Sequence, residues 1–281
     1  MTDRDPILAL ASPVRGEARY LLEWIAYHRA LGIKAFFLGD NGGDDGTSDV
    51  LADLHQRQIA FCFDWRGQTH FQLRFIAQAI QAARLFADGL FLLDIDEFLR
   101  PQSGHSVLPI AQRWLADETV GAVALNMVIY GTSGRERAGD GLVIERFTMR
   151  APQDYVTHRN AKPFVRVASC AGPADNPHAV QLLSGRYINP RGEDVVWDTR
   201  GFQTGITQDV VWDVLRVDHF LVKSREEFAA KRARGMGLLS PERDWDRYFE
   251  HNDRNEVEDP VPSELVERTK AEMAKIAAQI A

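Results

Sequence analysis

Asp94, Asp96 and Glu97 follow directly on the apolar run Phe91-Leu92-Leu93 and lead into Phe98-Leu99. Such a run reads as a buried strand, and strand residues two apart share a face, so the alternation predicts that Asp94 and Asp96 point the same way. Two carboxylates held together repel each other unless a cation lies between them. Hard divalent ions, Mg²⁺ or Mn²⁺, take oxygen ligands, often one or two carboxylates plus the phosphates of a substrate. The chemistry expected at this strand end is metal-assisted handling of a phosphate-bearing substrate. The bland alternative, acids that only end a strand and open a turn, suits a single acid better than Asp-x-Asp-Glu.

Other residues could complete such a site. Asp40, Asn41 and Asp45 lie in a loop with Gly42, Gly43 and Gly46, where glycines let a backbone approach a ligand and the polar side chains can meet sugar hydroxyls or a base. An ordinary turn explains that loop equally well. No Gly-x-Gly-x-x-Gly or Gly-x-x-x-x-Gly-Lys-Ser/Thr run occurs, so dinucleotide-binding and P-loop readings have no support. His219, in Arg216-Val217-Asp218-His219-Phe220, follows a strand candidate, and an imidazole there would favour manganese as a third ligand. His178 lies in the turn Asn176-Pro177-His178 and faces either solvent or substrate. Lys162 and Arg166 offer cations for phosphates or make a solvated strand face. Arg225, Lys231, Arg232 and Arg234 read most simply as an exposed helix surface.

The elements that must position these residues alternate in the first half. Strands are expected at 7–11, 34–38, 59–63, 90–93 and 120–129, and helices at 18–31, 47–54, 71–87 and 107–116. That order predicts an α/β fold with a mostly parallel, Rossmann-like central sheet and helices on both faces. Ligands of such sheets bind outside the carboxyl ends of the strands, where the acids fall. The second half is irregular, with strand candidates at 142–149, 163–168 and 211–217. Ser224-x-x-Glu227 has capping-box spacing before a helix to about residue 234. The expected division is 1–130 as one half of a single domain, 131–262 as its less regular second half, and 263–281 as a C-terminal helix for core packing or an oligomer contact.

Composition narrows the class. The 281 residues are 45% hydrophobic and 26% charged, ordinary for a globular protein, and the net charge of −7 argues against a general nucleic-acid partner. Cys62 and Cys170 are too few for a disulfide framework, and no stretch approaches a membrane span, so a soluble, cytoplasmic protein is expected.

Taken in order, several segments resemble bacterial family-2-like glycosyltransferases of the GT-A fold, in the subgroup that opens with an "NE…LLEWIAYH" motif and carries a "DxDEF" strand end. They are Arg15 through His28 with Leu21-Leu22-Glu23-Trp24-Ile25-Ala26-Tyr27-His28, Asp40-Asn41 through Thr47, and Asp94-Ile95-Asp96-Glu97-Phe98. Lys162 to Arg166, His178, Asp218-His219-Phe220, Lys223 to Phe228 and Asn255 to Asp259 extend the likeness across nearly the whole chain. Gly16 replaces the usual Asn, and Gly42-Gly43 alters the loop.

The resemblance implies a metal-dependent transferase that moves a sugar from a nucleotide-sugar donor, UDP-linked, to a hydroxyl of a glycan or other acceptor with inversion. It implies Mn²⁺ or Mg²⁺ on Asp94, Asp96 and His219. Nucleotide contacts would come from Arg15, Glu17, Asp40, Asn41, Asp45, Asp94 and Lys162, and the base from Glu97, His178 or Asp194. A sugar-phosphate nucleotidyltransferase and a non-catalytic nucleotide-sugar-binding protein are the alternatives.

Overall fold

The computed structural model describes residues 4–102, 106–198, 205–235 and 243–280. In chain order the elements are β1 (Leu8–Val14), α1 (Ala18–Ala30), β2 (Ala35–Asp40), α2 (Thr47–Gln56), β3 (Phe61–Asp64), α3 (Gln72–Ala83), β4 (Gly89–Leu92) and β5 (Glu97–Pro101). There follow α4 (Leu108–Ala116), β6 (Val120–Ile129), the single turn α5 (Val143–Arg146), β7 (Met149–Arg150), β8 (Ala161–Arg166), β9 (Cys170–Pro173), β10 (Val180–Leu182) and β11 (Arg186–Ile188). The chain continues through β12 (Leu215–His219), α6 (Arg225–Arg234), α7 (Trp245–Asn252), β13 (Val257–Glu258) and α8 (Ser263–Ile280).

The central sheet runs β3-β2-β1-β4-β8-β6-β12-β5, with β11 alongside the start of β6. β3, β2, β1 and β4 are mutually parallel, as are β6 and β12, while β8 and β5 run against their neighbours. The mainly parallel α/β sheet matches the expectation. Its strands are apolar on both faces because both faces are covered. Leu8, Leu10 and Val14 of β1 pack with α1, α2, α4 and α8 in one core. Ala9 and Ala11 face the other way, onto Phe75, Ile76, Ala79 and Ile80 of α3.

Residues 142–149, expected as a strand, instead form α5 and a turn into β7. Glu23 on α1 explains the change: its carboxylate accepts the Val143 and Ile144 N–H groups at 2.8 and 3.1 Å, caps that a strand would not offer. The expected C-terminal helix is present as α8, and Leu265, Val266, Thr269 and Ile276 bury one face of it against the core that contains α1; residue 281 lies outside the described residues. Among the described residues no helix is long and apolar enough to cross a membrane.

The antiparallel strands matter for the site. β1, β2, β4, β6 and β12 end at one edge of the sheet, and β5 and β8 begin there. The last residues of one set therefore meet the first residues of the other: His219 pairs with both Glu97 and Ile129.

Candidate functional site

β4 stops at Leu92, and Asp94 to Glu97 form a turn closed by the Glu97 N–H on the Asp94 carbonyl at 3.1 Å. Strand alternation therefore does not govern the acids, and Asp94 and Asp96 meet different cations. Lys162, at the start of β8, places Nζ 2.7 Å from Asp94 Oδ2 and 3.2 Å from Glu97 Oε2. Lys231, on α6, donates to Asp96 Oδ2 and to the Leu221 carbonyl. The repulsion that the sequence reading assigned to a metal is relieved here by two lysines. Burial opposes ionisation of Asp96, yet Lys231, His219 and Lys223 hold its carboxyl well below the usual carboxylate range. Burial pushes the Glu97 carboxyl up to about 7, against the pull of Lys162.

A cation site remains. Asp96, Glu97 and His219 each offer a ligand atom within 4.8 Å of the others. His219 Nε2 lies 3.6 Å from Asp96 Oδ2, and Nδ1 lies 3.8 Å from Glu97 Oε1. Glu97 Oε1 and His219 Nδ1 are buried without a hydrogen-bond partner. Buried polar atoms are ordinarily satisfied, so this orphaned pair beside a carboxylate fits a divalent ion. The trio is not the expected one, because Asp94 turns to Lys162 and Glu97 takes its place.

His178 comes to the same edge. Its Nδ1 lies 3.0 Å from the Ala161 carbonyl, which can only accept, so Nδ1 carries the proton and Nε2 is left as an acceptor. Burial, then Lys162, pushes the ring down to about 4, which keeps it neutral. A narrow cleft lined by Gln72, Lys162 and Pro177 reaches Asp94. Ala174, Asp175, Ala179, Val180 and Gln181, on either side of the turn at Pro177 and His178, line a cavity of about 410 Å³ with Tyr187 and Trp197. Asp194 is not brought to the cluster. It is exposed, paired with Arg186, and bridged to Ile188, which lies beside Val123 near the far end of β6.

The nucleotide-side candidates form the neighbouring rim, with most of their polar atoms already engaged. Asp40 accepts from Gly42 N–H at 2.8 Å and from Ser48 Oγ at 3.0 Å. Asn41 donates to the Trp65 and Gln68 carbonyls at 2.7 and 2.9 Å. Asp45 accepts from Thr47 Oγ1 and from Ala18 N–H, the first amide of α1. Burial raises the Asp45 carboxyl, but those hydrogen bonds outweigh it and hold it below its ordinary value. Arg15 is exposed on the turn after β1. Gly16 and Gly43 answer one another: a Cβ on Gly43 would lie 2.7 Å from Gly16 Cα, so the two loops touch backbone to backbone.

Of the four α6 cations expected on an exposed surface, Arg225 and Arg232 are exposed, whereas Lys231 and Arg234 turn inward. Glu227, Lys231 and Arg234 lie at i, i+4 and i+7, one stripe of a helix, and that stripe turns inward. Glu227 is gripped by Arg146 at 2.9 and 2.8 Å, Lys231 reaches Asp96, and Arg234 meets Glu17 and the Gly16 carbonyl. The spacing was visible in the sequence, but the buried acids that attract it were not.

No family model matches the chain. It is similar to a glycosyltransferase family 92 protein of Oryza sativa subsp. japonica, 26% identical over 258 residues, covering 86% of this chain and 42% of that protein. A family 92 protein of Arabidopsis thaliana is 23% identical, covering 86% of this chain and 44% of that one. The chain thus spans less than half the length of the curated relatives it matches. Among solved structures, a mannosyltransferase from Pyrobaculum calidifontis in complex with GDP-Man and Mn²⁺ aligns over 98% of this chain and 76% of that one, with 14% identity and a TM-score of 0.46. S. aureus TarS in complex with UDP aligns over 58% of this chain and 47% of that one, with 11% identity and a TM-score of 0.39.

Proposed function

We propose that this chain is a glycosyltransferase domain that moves a sugar from a nucleotide-sugar donor, UDP-linked, to a hydroxyl acceptor with inversion. The observation that carries the reading is the trio Asp96, Glu97 and His219, with its two orphaned buried atoms at the carboxyl ends of the strands. The family 92 names of the curated relatives support the same class. Asp96, Glu97 and His219 would hold Mn²⁺ or Mg²⁺, which when bound supplies positive charge to a leaving diphosphate.

The chain's own groups do the rest. Lys162 fixes the turn that carries the acids by holding Asp94 and Glu97 together. Of the three base candidates, His178 fits best, since Glu97 is fully buried and Asp194 is remote. His178 Nε2 takes the acceptor hydroxyl's proton as that oxygen bonds the anomeric carbon, while the bond from that carbon to the donor phosphate breaks and its electrons leave on the diphosphate.

Calorimetric titration of UDP, then GDP, with and without Mn²⁺ tests the donor half. A panel of UDP-sugars, followed by release of free UDP, tests turnover. Nucleoside diphosphate binding strengthened by Mn²⁺, with UDP released only when acceptor is present, is the expected result. Pyrophosphate released from a nucleoside triphosphate and a sugar phosphate would replace this reading with nucleotidyl transfer.

A further inference from the structure

Lys223 is 3% exposed, and Glu17 and Asp96 act on it through charge rather than a hydrogen bond. The ammonium lies over the Tyr20 ring, 4.3 Å from the centroid. Its backbone is left-handed, φ +53°, a conformation costly for a side-chain-bearing residue and found mostly where surroundings or function enforce it. A cation so far withdrawn from water is likewise costly. The two costs coincide at one residue beside the acids. Burial dominates its titration and pushes the lysine below its ordinary value, although Glu17 and Asp96 pull it back.

Lys223 has company. Lys231 and Arg234, from the inward stripe of α6, bind Asp96 and Glu17. Three cations therefore gather around two acids, and Glu17 Oε2 is itself buried without a partner. Burial raises the Glu17 carboxyl, against the pull of Lys223 and Arg234. The group lies where the β1–α1 turn, the 94–97 turn and α6 converge: Arg234 Nη1 donates to the Gly16 carbonyl at 2.6 Å. Within this group the cations outnumber the acids by one, an arrangement that suits an anion.

We propose that Lys223, Lys231 and Arg234 form a cationic wall that binds the diphosphate of the nucleotide directly, without a divalent ion. The inference rests on the donor reading above and deepens it. The charge on the leaving diphosphate is shared between a metal held by Asp96, Glu97 and His219 and this wall. Lysine serves such a role as a point charge with three donors, and arginine as a fork that can span two phosphate oxygens.

The test is binding of UDP and UMP in EDTA, by calorimetry, to the full chain and to Lys223→Met and Lys231→Met. The wild type is expected to favour UDP over UMP by about 10-fold or more without metal, the size of one charge-assisted contact. Each methionine variant should lower metal-free UDP affinity about 10-fold and change UMP affinity by less than about 3-fold. Variants that keep the wild-type UDP-to-UMP ratio overturn the wall and leave the donor reading standing. Failure of the wild type to bind UDP or GDP, with or without Mn²⁺, overturns both. Should a variant not fold, the wild type still decides: in EDTA, pyrophosphate should raise its melting temperature more than orthophosphate does, and equal or absent shifts reject the proposal.

Discussion

Lys162 shows how little slack the site has. Its ammonium is 2% exposed and serves Asp94 and Glu97 together, so Lys162→Met leaves Glu97 buried beside an acid with no cation. Removing one partner of a buried pair costs about 3 kcal/mol, and urea unfolding should show a loss of that size. Glu97→Gln in the same chain should return part of it, because the stranded charge is then gone. Asp96 is a different case, since its value on the proposed reading lies in the reaction. Asp96→Asn should cut transfer by about 100-fold or more while far-UV circular dichroism stays unchanged; activity near the wild type would remove Asp96 from the metal site. At this scale the sequence revealed which residues matter better than where they point. Asp96 and His219 were legible as site candidates, whereas the turn at 94–97 sent Asp94 to a lysine that no strand rule predicts.

Among the elements, α1 does more than cover the sheet. Trp24 Nε1 donates to the Glu97 carbonyl at 2.8 Å, and Tyr27 hydroxyl donates to the Leu99 carbonyl at 2.8 Å. His28 Nε2 accepts the Leu99 N–H at 3.2 Å, while its Nδ1 donates to the Trp24 carbonyl at 2.8 Å. β5 is an edge strand, and these three side chains engage its backbone, fixing Glu97 from behind. The Trp-Ile-Ala-Tyr-His run was legible as a motif but not as a clamp, because its partners come 71 to 73 residues later.

Burial pushes the His28 ring down to about 3, against its bond to Trp24. The unfolded chain, with a histidine near 6.5, binds a proton that the native state refuses, so stability falls as pH drops below 6.5. Between pH 7.5 and 5.5 His28 should contribute a loss of about 1.4 kcal/mol, and His28→Gln should flatten the stability profile by that amount. The loops obey a similar constraint: Gly43 has φ +154°, and its missing Cβ would strike Gly16 backbone atoms at 2.7 and 2.8 Å. Gly43→Ala should cost about 1–3 kcal/mol in thermal unfolding, since neither loop has a side chain to move aside.

For the molecule as a whole, the sheet decides how the chain can be divided. The first half reads as strand and helix in strict alternation, and its elements lie close to where their apolar periods predict, except β5, which follows β4 directly and was not expected. The second half resisted because its strands are short and take their place from distant partners. β8 fills the gap between β4 and β6, and β12 lies between β6 and β5, so strands from beyond residue 130 separate those that precede it. Residues 1–130 alone would leave β4, β5 and β6 without these neighbours, with unpaired N–H and C=O groups and apolar faces open to water. That fragment should therefore lack a cooperative unfolding transition and bind no UDP, although helical signal from α1 and α3 should persist. A fragment that unfolds sharply would show a self-sufficient donor half. The same topology explains why the candidate metal trio joins Asp96 and Glu97 to His219: β12, pairing with β5, carries that imidazole back to the acids.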